Sequence, residues 1–179
     1  MERSEPQQIK KNYSLLAKLL HWSFVLIFAY GIYKQVSDVR QLENVSFLRS
    51  EIIFALVFLA FLVFRFLYMF KTQSTSLPDN TPKFQKLASK VVHLSMYIGL
   101  SGIALSGLLI GYFFSWGIKD NLIMEITIGL HEVFVFITYW LISLHVIAAI
   151  YHRFRQDNVW NSMVPFWKEK NECYLAKKK

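Results

Sequence analysis

Cysteine is almost missing from this chain. The single residue, Cys173, stands near the C-terminal end, so neither an internal disulfide nor a Cys-x-x-Cys-His site for covalent haem attachment can form. Acidic side chains are scarce as well, with 12 Asp and Glu against 20 Lys and Arg and a formal net charge of +8. There is no Gly-rich phosphate loop, no internal repeat and no low-complexity tract.

What is abundant is apolar. Of the 179 residues, 54% are hydrophobic and 17% aromatic, gathered in blocks too long for a globular core. Spanning a hydrocarbon layer of roughly 30 Å takes about 20 apolar residues at about 1.5 Å each. Four windows approach that length: about Leu15 to Tyr33, Glu51 to Phe70, Leu87 to Trp116 and Met124 to Tyr151. In the second, the uninterrupted run is only Ile52 to Phe64, but Phe66 to Phe70 extends it and Arg65 can snorkel to the headgroups. The first follows a polar tail, contains a histidine and has no convincing small-residue cleavage site before Lys34, so it reads as a helix rather than a signal peptide. The expected fold is an all-α, integral membrane four-helix bundle.

The basic residues sort by membrane side rather than forming a nucleic-acid surface. The N-terminal segment to Lys18 carries 4, Arg65 to Lys90 carries 5 and the tail after His152 carries 7, against Lys34, Arg40, Arg49 and Lys119 elsewhere. By the positive-inside rule both termini and the central loop are cytoplasmic. The expected organisation is a disordered N-terminal tail (1–12), one transmembrane domain (13–165) and a basic C-terminal tail (166–179). The polar, proline-punctuated stretch from Thr72 to Pro82 is the clearest linker.

The third window carries small residues at Gly99, Gly102, Ser106, Gly107 and Gly111. In lipid these permit close helix packing, within the bundle or in a homodimer, or leave room for a flat cofactor. All five histidines, His21, His93, His131, His145 and His152, lie in or at the ends of the windows. Ionisable groups inside a membrane are costly and point to function. The topology places His21, His93 and His145 toward the cytoplasm and His131 near the outer surface. His131 and His145 are fourteen residues apart on one helix, hence about 21 Å apart in depth but only about 40° apart around the axis. Facing imidazoles on two helices suit axial ligation of a haem iron, with His21 and His145 the natural pair. Two other uses stay open at this point: transport, as a proton relay with Glu51, Glu125 and Glu132 near the outer side or as a metal transporter using the roughly level His21, His93 and His145, and purely structural polar contacts.

His21-Trp22, Arg65, His93, His131-Glu132, His145, His152 and Asp157-Asn158 in this order and spacing resemble the bacterial cytochrome b561 family, from about Tyr13 to Pro165. This is a group of four-helix, di-haem b-type cytochromes related to the cytochrome b subunits of nickel hydrogenases. The resemblance implies that His21 and His145 hold a cytoplasmic haem b, and that His131 holds an outer haem opposite a histidine at the start of helix two. The chain departs from the pattern there. Glu51 occupies the expected position, and no histidine occurs between His21 and His93. Three outcomes stay open: a five-coordinate haem on His131, a His131 and Glu51 pair, or no outer haem, since a carboxylate is a harder and uncommon haem ligand. Arg65, Lys90, Arg153 and Arg155 are propionate contacts or ordinary basic flanks. His93 is a quinone or propionate contact or a structural hydrogen bonder, and His152 is interfacial. The final segment reads Asn161-Ser162-Met163, without the basic residue that the family places shortly before this Met.

The resemblance implies a cytochrome passing single electrons between a quinone or quinol, such as ubiquinone, and a partner. It would be free-standing or a subunit of a respiratory complex in the bacterial inner membrane, an organelle inner membrane being the other setting. The alternatives are a structural or assembly subunit with reduced or lost haem, and the proton or metal transporter.

Overall fold

The computed structural model describes residues 13–36, 38–72, 77 and 81–167. The expected tail at 1–12, residues 168–179 of the expected C-terminal tail and most of the linker lie outside the described residues. Within them the regular structure is helical: α1 (Leu15–Tyr33), a 3-10 turn (Val39–Glu43), α2 (Val45–Thr72), α3 (Lys83–Ser115), α4 (Leu122–Arg155) and the short α5 (Val159–Met163). The first four α-helices are long and apolar enough to cross a membrane.

Hydropathy windows find the apolar centre of each helix but not its ends. α2 begins at Val45 rather than Glu51 because the Asn44 side chain accepts from the backbone N–H groups of Ser46 and Phe47, at 3.0 and 3.2 Å, as an N-cap does. Asn121 caps α4 in the same way, accepting from Met124 N at 2.9 Å. α4 continues beyond Tyr151 through His152, Arg153 and Arg155, cations in the last turn where the helix dipole favours them. Gln156, left-handed at φ 57°, ends it.

The main packing is between consecutive helices, α1 on α2, α2 on α3 and α3 on α4, with α5 against α4. Phe24 of α1, Phe58 and Leu62 of α2 and Leu100 and Ala104 of α3 form one buried cluster. Leu42, Leu48, Phe114 and Met124 form another near the opposite ends of α2 and α3. Large apolar side chains such as Leu26, Phe64, Phe136, Trp140 and Ile147 remain exposed, as expected of helices whose outer faces meet lipid.

The small residues of α3 serve helix packing. Gly99 faces the fully buried Thr138, Gly102 faces the Phe134 ring and Gly107 faces His131, while Gly111 meets Ile52 and Leu48 of α2. The descending α4 numbers against ascending α3 numbers show that these two helices run antiparallel. Each of these glycines faces a neighbouring side chain, so the stripe serves close helix packing. A Cβ at Gly102 would lie 2.5 Å from the Phe134 ring, so Gly102→Ala overpacks the α3–α4 contact and is expected to destabilise by about 1–3 kcal/mol. Thermal melting in detergent checks this; an unchanged Tm would contradict the tight register.

Candidate functional site

Each long helix contributes one basic side chain to a single cluster: His21 from α1, Arg65 from α2, His93 from α3 and His145 from α4. The ring centroids of His21 and His145 are 6.5 Å apart, and those of His93 and His145 are 5.0 Å apart. Nη2 of Arg65 lies 2.9 Å from Nδ1 of His21. The guanidinium sits between the rings of Phe24 and Tyr97, 5.5 Å from each centroid. Trp22 packs edge-on against His21.

Local structure aims several of these groups. Nδ1 of His93 donates to Ser89 O, four residues back on its own helix, at 2.6 Å, which holds the ring proton on Nδ1. α1 is tied down where it carries His21: Trp22 Nε1 donates to Met163 O and Lys18 Nζ to Asn161 O, both at 3.3 Å, so α5 braces the site end of α1. α5 is placed by a tight corner after α4. There Asp157 Oδ2 lies 2.6 Å from Nδ1 of the buried His152, its Oδ1 accepts from Val159 N, and Asn158 is left-handed at φ 66°. His152 therefore belongs to this corner, with Gln85 on its other nitrogen at 3.3 Å.

His131 and Glu51 turn to different partners. Ser106 Oγ donates to Gly102 O at 2.6 Å and lies 2.9 Å from Nδ1 of His131. Since the one hydroxyl proton is committed to the carbonyl, the serine oxygen accepts from His131, whose Nε2 keeps its lone pair. Glu51 Oε1 lies 2.8 Å from Lys34 Nζ, and that ammonium also donates to Ser50 Oγ at 3.1 Å. Lys34 and Ser106 escaped the sequence reading. Lys34 stood out only as a cation at a helix end, and Ser106 only as a member of the small-residue stripe.

The donor set can be tested against a haem. Among the described residues no group of three or more His, Cys, Asp or Glu could hold a bare metal ion. Two imidazoles on opposite faces of one iron, with bonds of about 2 Å, place their ring centroids about 6 Å apart. The His21–His145 separation of 6.5 Å suits that arrangement, and the 5.0 Å of His93–His145 is too short for it. The His21–His145 separation thus leaves room for an iron between the two rings. Comparison with curated proteins and with solved structures yields no match. A family model described as prokaryotic cytochrome b561 matches residues 12–166. With four membrane-type helices and facing imidazoles, the chain thus belongs to the prokaryotic cytochrome b561 family of membrane b-type cytochromes, which bind haem b and transfer electrons.

Proposed function

We propose that this protein carries single electrons between a quinone and a partner in a bacterial plasma membrane, through one haem b held by His21 and His145, with both termini cytoplasmic. The approach of these two rings from α1 and α4 to 6.5 Å carries the reading. Bound there, haem b supplies a one-electron iron couple. His21 and His145 would hold the haem between them, and a haem held by two imidazoles would favour electron transfer over oxygen binding. Phe24, Tyr97 and Trp22 limit water around the imidazoles, and α5 fixes the height of His21.

The outer half supports no second haem in this reading. His131 has a nitrogen available, but Glu51 is occupied by Lys34, and a carboxylate oxygen is a poor substitute for imidazole on haem iron. Electrons then enter and leave near the cytoplasmic side instead of crossing the bilayer along two stacked haems. That favours a subunit of a larger respiratory assembly as the second reading.

A reduced-minus-oxidised absorption spectrum with haem-to-protein stoichiometry tests the proposal. One b-type haem per chain is expected. Two would restore the outer site, and none would leave a structural or assembly subunit.

A further inference from the structure

We propose that Asp157 is a positioning residue for the haem site: paired with His152, it folds α5 back onto α1 and so sets the gap between His21 and His145. The inference rests on the assignment of haem to those two imidazoles. They stand on α1 and α4, helices with little direct packing between them, since α1 packs on α2 and α4 on α3. Their rings nonetheless meet at 6.5 Å, and a pair of ligands to one iron tolerates little change in that separation.

What ties α1 to α4 directly is the segment that follows α4. α5 is only five residues long, and the last carbonyls of any helix lack partners within it. α1 supplies donors to two of them. Met163 O accepts from Trp22 Nε1 and Asn161 O from Lys18 Nζ, each at 3.3 Å, and these donors flank His21 on its own helix. Trp22 also packs on Phe166, with ring centroids 5.2 Å apart.

The place of α5 depends in turn on the corner before it. Gln156 and Asn158 are both left-handed, at φ 57° and 66°, a conformation that side chains larger than glycine keep only where their surroundings hold them. Asp157, between them, supplies that hold. Its Oδ2 accepts from Nδ1 of His152 at 2.6 Å and its Oδ1 from Val159 N at 3.3 Å, so one carboxylate joins the last turn of α4 to the first residue of α5. His152 is 8% exposed, and its Nε2 lies 3.3 Å from Gln85 of α3, which fixes the ring to the bundle. Arg155, lying 3.8 Å from Asp157 Oδ2, is the other charge at this corner. A carboxylate placed there only for solubility would face water, whereas Asp157 turns inward to a buried ring and an amide.

The test measures the α1–α4 separation in the full-length chain, purified without haem into nanodiscs, by pulsed electron spin resonance. Spin labels are attached at Leu19→Cys and Ile147→Cys, both exposed positions, with Cys173→Ser so that no other thiol is labelled. Asp157→Ala is expected to give a longer and broader distance distribution than the labelled parent. Trp22→Phe, which keeps a ring but loses the donor, should give an intermediate one, and Asp157→Asn, which keeps an acceptor, should restore most of the parent's. Haem titration followed by the Soret band should show Asp157→Ala binding about 10-fold more weakly, the worth of a hydrogen bond to a charged group, with a high-spin fraction absent from wild type. A lowered Tm in Asp157→Ala with distances and spin state unchanged would assign the residue to stability alone and overturn the proposal. Should that variant not fold, an unchanged distribution in Trp22→Phe overturns it instead. Wild type that takes up no haem sinks the haem assignment and this role together, whereas wild type with haem and unmoved distances in the variants sinks this role alone.

Discussion

Alanine at His145 or at His21 should abolish the six-coordinate b-type spectrum, taking the haem-to-protein ratio from one to near zero. Each ring supplies one of two axial bonds, and in a noncovalent site those bonds are the main directional hold on the iron. His93→Ala should behave differently, although its ring is nearer to His145 than that of His21. At 5.0 Å from His145 it stands too close to be the second axial ligand of one iron. Low-spin, six-coordinate haem is therefore expected to survive in His93→Ala. Survival in His21→Ala together with loss in His93→Ala would reverse the ligand assignment.

The second large effect concerns the outer half of the bundle. Wild type is expected to hold one haem, and the double variant Lys34→Leu/Glu51→His should move toward two. His131 keeps a lone pair on Nε2 because Ser106 occupies Nδ1 as an acceptor, so one ligand of that site is poised. What the family pattern pairs with it, and this chain lacks, is a histidine at position 51. Glu51 offers an oxygen, held 2.8 Å from Lys34 Nζ with both side chains 21% exposed. Removing the carboxylate alone would strand a half-buried ammonium near Phe47 and Phe54, a loss of about 1–3 kcal/mol. Replacing Lys34 at the same time avoids that cost. Pyridine haemochrome quantification per chain reads the result; two haems in wild type, or one in the double variant, would contradict this account of the outer half.

The helix ends and the partners show how far residues can be read without coordinates. Asn44 and Asn121 are capping types, but only the observed bonds to Ser46, Phe47 and Met124 tell which turn each one starts. The small residues of α3 signalled close packing, and Gly99 against Thr138 and Gly102 against Phe134 bear that out. Glu51 was visible as a substitution in an otherwise regular pattern, whereas its ion pair with Lys34 was not. Arg65 was visible as a cation interrupting an apolar run, whereas its contact with His21 and its unpaired Nε were not.

The sequence by itself determined the four membrane-spanning helices, since the hydrocarbon layer requires an apolar run of a certain length and a helix to satisfy its backbone. It also determined the spacing of His131 and His145 along one face of α4, because helical rise and twist are constants. Only the tertiary structure decided which helix faces meet. These helices are apolar nearly all round, so periodicity carries little information about rotation about the axis. That rotation brings His21, Arg65, His93 and His145 into one cluster, and turns Glu51 toward Lys34 and His131 toward Ser106.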